Sequence, residues 1–460
     1  MRGKTQTQEI LSYAILEAQK LGLDAEALFL SYRESTMRSA WGQVHQTPTA
    51  NSGVLSINLR DGLRAASVTT SELSRKAIRE TVKSCSSLLR QVPENPYLPE
   101  LLCQPDDLPE ERLSLQNLQE FTEDLAVKER AFRLIEQSSR GTSLKGSARF
   151  FTAGCETGVA NTLGLARYHT ASYSFLSFAV TGDGGLSSYS DRAAATPDAV
   201  DVDGAIEEAF RRAALMERLP FLDPFANGAR SLNYDAVFSH YAVGEWLYLV
   251  SMFSFNGLAV LDGQSFLSGK RIGERVTGQD VTIVDDWQDP LVIPLPFDFE
   301  GRARDRLTIL DQGILRSVPY DGMTAKKAQV NSTGHTGCMP LCLVMSGGNE
   351  SFDDLVAASG EPTIVATFLN YPSMPDAREG VFTATTRHGT FLVEGGKYRA
   401  VCPPLRLRMR SFDALTRIDG MTRARLISGQ ENYGMFYPKS LVVPAMRLRN
   451  VEFVGSNLSI

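Results

Sequence analysis

The run His240-Tyr241-Ala242-Val243-Gly244-Glu245 places an imidazole and a carboxylate in an otherwise apolar stretch. Neutral imidazoles and carboxylates are zinc ligands, and a hydrolytic zinc site also needs a carboxylate beside the metal-bound water to take its proton. Tyr241, next to the histidine, is no such acceptor. Glu245 could still ligate a metal, but positions i and i+5 on a straight helix lie about 140° apart. His240 and Glu245 therefore converge only if Gly244 lets the helix bend. A lone histidine in an apolar run is more often a hydrogen-bonded core residue than a ligand.

Other residues offer weaker chemistry. His335 could complete a divergent metal site with His240 and Glu245. Cys338 and Cys342 are four apart, yet Met339-Pro340 between them breaks any helix that would put both thiols on one face. The six cysteines, at 85, 103, 155, 338, 342 and 402, follow neither zinc-knuckle nor disulfide-framework spacing, so reduced thiols are expected. Asp285-Asp286 and the pair Asp298 and Glu300 could act as general acid and base; at strand ends such residues more often accept hydrogen bonds from loop amides and face solvent. Gly263 to Arg271 has the wrong glycine spacing for a phosphate loop and puts Arg271 where a hydroxyl should bind magnesium. The Gly182 to Gly185 cluster lacks the strand-to-helix setting of a dinucleotide fingerprint and reads as a loop. No Gly-x-Ser-x-Gly elbow is present.

These residues must be positioned by the elements around them. Ile10, Leu11, Ala14, Ile15, Ala18 and Leu21 recur at helical spacing, and Gly22 is placed to end that helix. Leu55, Ile57 and Leu59 alternate as in a strand, with Asp61-Gly62 turning into a second strand from Leu63 to Val68. Ser71 sits as an N-cap before a helix carrying Leu73, Ala77, Ile78, Val82 and Cys85. Residues 91 to 114 are rich in proline and acidic groups and read as irregular. A helix is expected from about Leu115 to Gln137, then a strand-rich run to Gly185, then a helix preceded by Asp203 and built on Ile206, Ala209, Phe210 and Ala213. Pro220-Phe221-Leu222-Asp223-Pro224 is the best linker. Beyond the run at 240 to 245 strands dominate: Thr363 to Leu369 is β-prone, and Val381 to Thr386 is expected to pair with Thr390 to Val393 across Arg387-His388-Gly389. Arg406, Arg408 and Arg410 alternate as one solvated strand face.

The chain reads as α+β in two domains: residues 1–219, an α/β unit with helices on a sheet, and residues 225–460, a β-rich mixed-sheet unit. A length of 460 residues exceeds one ordinary core. A net charge of −6 argues against general nucleic-acid binding, and no run approaches the roughly 18 apolar residues that span a bilayer. The first residues are amphipathic rather than secretory, so a cytoplasmic protein is expected.

Asp235 to Ser239, the run at 240 to 245, Asn256-Gly257, Gly263 to Leu267 and Val281 to Asp286 occur in an order that resembles the TldD/TldE (PmbA) family. Pro296 to Gly301 resembles its acidic "D-x-E-G" turn and Thr308 to Leu315 its "V-L-I-E-x-G-x-L" hairpin. Ser351 to Leu355 resembles its late helix start, and Gly380-Val381-Phe382 through Phe391 to Lys397 its final strand pair. Gly53-Val54 through Ala77-Ile78 resembles the pattern of its first domain. In that family the peptidase subunit carries an intact His-Glu-x-x-x-His helix and a cysteine in a late glycine-rich segment. Here Tyr241 and Glu245 replace the glutamate and second histidine, the matching segment Leu426 to Gly434 has no cysteine, and the last cysteine is Cys402.

The resemblance is therefore to the TldE-type partner subunit, and it implies no catalytic residue and no metal ligand in this chain. Zinc would be held by a TldD-like catalytic subunit of a heterodimer, acting on unfolded or leader peptides bound as extended substrates, with no nucleic acid and no membrane. The substrate-binding residues are not legible. Two alternatives stay open: a self-sufficient metallohydrolase using His240 and Glu245, and a non-enzymatic peptide-binding homodimer.

Overall fold

The computed structural model describes residues 1–41, 43–103, 120, 125–427 and 439–456. The first half is one antiparallel sheet with helices on a face. Its strands are β1 (Asp24–Ala40), β2 (Gln43–Gln46), β3 (Thr49–Asp61), β4 (Arg64–Thr70), β5 (Lys145–Asn161), β6 (Ala166–Thr181) and β7 (Ser187–Ala194). They run in the order β4-β3-β1-β5-β6-β7, with β2 also on β1. Helices α1 (Lys4–Gln19) and α2 (Arg75–Leu89) pack Leu11, Ile15, Ile78 and Val82 against Phe29, Leu55 and Ile57. Helices α3 (Ala126–Ser139) and α4 (Val202–Arg218) pack Phe132, Ile135 and Ile206 against Phe150, Leu176 and Phe178. Each such side chain stabilises the fold by about 1.5–3 kcal/mol when fully buried.

The expected turn at Asp61-Gly62 forms, with Gly62 at φ 58°. The caps differ by a few residues. Ser74, not Ser71, caps α2 by accepting from the Ala77 N–H; α4 starts at Val202, so Asp203 lies inside it rather than before it, and Asp201 caps it by accepting from the Gly204 N–H. In both cases the side chain three residues before the acceptable N–H wins, because only there does the oxygen reach the first turn. The helix expected from Leu115 to Gln137 is observed as α3, which begins at Ala126 with Leu125 as its N-cap; residues 104–119 and 121–124 lie outside the described residues.

The second half carries two further sheets around one core. One orders Thr363–Asp376, β8 (Leu232–Phe238), Met446–Ser456, Leu405–Arg410, Val381–Glu394 and Lys397–Val401; the other is a smaller mixed sheet that includes Ile283–Asp285, Cys342–Met345 and Ser440–Val443. Between them runs α5 (His240–Phe253), which buries ten of its residues. A helix apolar on all sides is stable only inside a core. Phe151, Tyr173 and Phe175 of the first sheet meet Trp287, Ile293 and Leu295 of the second half in a shared apolar layer. The linker Pro220 to Pro224 is not loose, because Leu222 and Pro220 exchange backbone hydrogen bonds with Val401.

One expected hairpin is absent. Val381–Glu394 is a single strand that passes through Arg387-His388-Gly389 and pairs throughout with Thr363–Asp376. His388 and Gly389 have φ of 55° and 112°, and Thr367 Oγ1 lies 2.7 Å from the His388 carbonyl and 2.9 Å from that of Gly389. The turn-like residues serve a bulge instead of a reversal. Arg406, Arg408 and Arg410 do form one exposed strand face. Among the described residues no helix is long and apolar enough to cross a membrane.

Candidate functional site

Helix α5 begins where β8 ends. Ser239 caps it, accepting from the Ala242 N–H at 3.2 Å and donating to the Thr367 carbonyl at 2.6 Å. Trp246 Nε1 donates to Ser411 Oγ and fixes the helix from its other side. The helix is continuous from His240 to Phe253, so Gly244 is not a hinge. Its role is close approach: a Cβ built there would lie 1.9 Å from Ile427 Cδ1.

A straight helix keeps His240 and Glu245 on different faces. The His240 ring is half-buried, with Nε2 at 3.1 Å from the Arg423 carbonyl and 2.9 Å from Thr422 Oγ1. A carbonyl only accepts, so Nε2 carries the proton and the lone pair of the neutral ring lies on Nδ1. Burial, followed by the nearby Arg425 charge, pushes the His240 pKa down to about 3. The ring is neutral at any ordinary pH.

Tyr241 is buried and stacked on Phe368, with centroids 4.4 Å apart and planes at 15°, and meets Tyr189 edge-on at 5.1 Å. Burial above all, with Tyr189 and the Glu245 carboxylate adding to it, holds its phenol well above the usual range. Tyr241 and Glu245 are hydrogen-bonded one helical turn apart. An aromatic stack thus fills the place where a hydrolytic site would need a carboxylate open to a metal-bound water.

His335 does not join this cluster. It is fully buried, with Nδ1 at 2.8 Å from the Thr333 carbonyl and Nε2 at 3.3 Å from Asp285. Asp285 is not a solvated turn residue either: it pairs with Arg304 and accepts from the Leu341 and Cys342 N–H groups at 2.6 and 2.8 Å. Burial would raise its pKa, but Arg304 and His335 reverse this and hold the carboxyl well below the usual range. Cys342 faces Arg304, and Cys338 accepts from the Asp321 N–H, so the two thiols are not a ligand pair. All six cysteines are free.

Asp298 does shape its turn, accepting from the Glu300 and Arg302 N–H groups at 3.0 and 2.9 Å, yet it is buried, against expectation. Its second oxygen has no hydrogen-bond partner. Burial, then the neighbouring Asp298, Glu26 and Asp321 carboxylates, pushes Glu300 up to about 8. Burial likewise raises Glu26 of β1 to about 7. Carboxyls from both halves of the chain thus share one poorly hydrated spot.

Do these donors fit a zinc ion? His240 offers Nδ1 alone, Tyr241 a stacked phenol, and Glu245, bonded to that phenol, lies on a different face of the helix from His240. Among the described residues no group of three or more His, Cys, Asp or Glu side chains could hold a metal. The residues do not fit zinc. The glycine-rich stretch Leu426 to Gly434 lies outside the described residues from Ser428 onward.

Residues 231–455 match the PmbA/TldA metallopeptidase C-terminal domain. The chain belongs to the TldD/TldE (PmbA) family. Its fold matches the crystal structure of TldE from Thermococcus kodakarensis with a TM-score of 0.81, at 15% identity over 97% of this chain and all of that one. A metalloprotease of Archaeoglobus fulgidus is 31% identical over 130 residues, 27% of this chain and 28% of that protein. An uncharacterized protein of Methanocaldococcus jannaschii is 33% identical over 112 residues, 24% of this chain and 27% of that one. The aligned stretches thus span little more than a quarter of the length of these two relatives. Within the family fold, sequence reasoning located the helix at 240 to 253 but missed Phe368, Tyr189 and the arginines beside His240. Their approach depends on strands far apart in the chain, and no local pattern announces it.

Proposed function

We propose that this chain is the TldE-type, non-catalytic subunit of a heterodimeric zinc metallopeptidase, in which a TldD-like partner holds the zinc. The observation that carries this reading is the Tyr241–Phe368 stack, which occupies the general-base position with a side chain that accepts no proton. The straight helix, which separates His240 from Glu245, supports it. This subunit would stabilise the partner and help to line a channel for unfolded or leader peptides held in extended form. It would work in the cytoplasm, with peptide as its ligand.

The test is coexpression with a homologue carrying an intact His-Glu-x-x-x-His helix. Cleavage of an unstructured peptide is expected only from the pair. Replacing the partner's motif glutamate should abolish it, while Tyr241→Phe here should leave the turnover of assembled complex unchanged. Chelator-sensitive cleavage by this chain alone would overturn the proposal.

A further inference from the structure

Beside His240 lies a cavity of about 310 Å³ lined by both halves of the chain, including Arg192, Glu208, Arg212, Ser239, His240 and Arg425. Its charges are unevenly matched. Glu208 is spanned by Arg192 at 3.0 Å and by Arg212 at 2.8 Å, and Arg192 also bonds Asp201 at 3.0 Å. Arg211 at the rim pairs with Asp353 at 2.9 Å. Glu207 completes the titratable lining. Among the described residues Arg425 has a looser ion pair, 3.6 Å to Asp191, and its buried Nε has no hydrogen-bond partner.

Burial lowers the pKa of Arg425; Asp191 and Glu208 work against this, Arg192 and Arg212 add to it, and the net shift is downward. A guanidinium in that position gains from one more acceptor. The cavity is open to one, since about a quarter of the Arg425 side chain is exposed. The positive end of α5 adds to the field, with Ser239 and His240 at the wall and the histidine neutral. Guanidinium forks fit planar carboxylates through paired N–H donors. The volume is at the small end for ligand pockets, enough for the end of a chain or one acidic side chain.

We propose that this cavity is a carboxylate-binding site, with Arg425 as the principal anchor, that takes a carboxylate of a peptide. Assigning the carboxylate to a peptide rests on the subunit reading above; the anion site itself does not. The carboxylate can belong to the chain terminus or to an Asp or Glu side chain. Where a metal-binding relative would use the start of this helix for chemistry, this chain would use it to hold a charge.

The test uses the full chain without a partner and three peptides: acetyl-Ala-Ala-Ala with a free terminus, the same peptide amidated, and acetyl-Ala-Glu-Ala amide. Calorimetry should detect binding of at least one acid-bearing peptide and none of the fully amidated neutral one. Preference between the two acids identifies the source. Arg425→Gln should weaken the bound acid by roughly ten- to a hundredfold, the usual effect of removing a charge-assisted partner. Because that variant removes a buried charge, wild-type protein supplies a second measurement: the bound acid should protect Arg425 from phenylglyoxal, read by mass spectrometry. Equal binding of acid and amide, no binding of either acid, or no protection of Arg425 overturns the site. The subunit reading would survive that result, since it stands or falls on coexpression.

Discussion

Replacing Glu300 with glutamine removes one titratable group from the carboxyls that Glu26, Asp298, Glu300 and Asp321 bring together from both halves of the chain. Glu300 has its pKa raised from 4.5 to about 8, first by burial and then by Asp298. The folded chain therefore binds this proton more tightly than the unfolded chain does. Stability from it is complete below about pH 4.5 and is lost as pH rises toward the folded value. At about 1.4 kcal/mol per tenfold change in proton affinity, the loss between about pH 6 and about pH 9 comes to about 3 kcal/mol. Lys439 works the other way in the same window: burial lowers its pKa to about 7, so its contribution grows as pH rises. The raw wild-type profile mixes the two signs. The difference between Glu300→Gln and wild type cancels Lys439, which is common to both, and reads Glu300 together with the carboxyls it faces. Urea unfolding followed by tryptophan fluorescence at a series of pH values should show the variant gaining about 3 kcal/mol on wild type from about pH 6 to about pH 9. A flat difference, or a variant that falls behind as pH rises, would refute the shared-proton account.

Three further outcomes are expected. The chain purified alone should carry no stoichiometric zinc by elemental analysis, and about one tightly held metal per chain would contradict the donor analysis at His240. The double variant Tyr241→Glu with Glu245→His restores the literal motif, yet it should give no chelator-sensitive cleavage of an unstructured peptide. Two imidazoles without a third protein ligand bind zinc weakly, and the new carboxylate would enter a slot shaped by Phe368 and Tyr189. Arg304→Met should destabilise the fold by about 3–5 kcal/mol, because it strands the buried Asp285 carboxylate; an unchanged urea midpoint would count against that ion pair.

The sequence was most legible where neighbours in the chain are neighbours in space. The periodicity of Leu11, Ala14, Ile15 and Ala18 led directly to α1, and Asp61-Gly62 to the hairpin of β3 and β4. It misled where a local pattern serves a distant partner. Arg387-His388-Gly389 has turn chemistry, but the Thr367 hydroxyl on the neighbouring strand lies within hydrogen-bond reach of the His388 and Gly389 carbonyls, and the strand runs on. Asp285 has the composition of a solvated strand end, yet Arg304 and two amides from Leu341 and Cys342 bury it as an ion.

The site divides along the same line. That Tyr241 could not serve as a base was visible from its chemistry alone. That the position is filled, rather than merely vacated, required Phe368 to lie parallel to its ring and Tyr189 to close the edge. Substitution at 241 and 245 therefore tests packing as much as catalysis. A carboxylate at 241 must either displace that stack or sit desolvated beside it, where burial without a cation favours its protonated form, which cannot take a proton from water. A smaller partner in the stack, Phe368→Ala combined with the double variant, should relieve the packing without supplying a third ligand. If that triple variant still binds no zinc in a calorimetric titration, the missing ligand is the obstacle; if it binds zinc and cleaves peptide, the aromatic stack alone had been keeping the site shut.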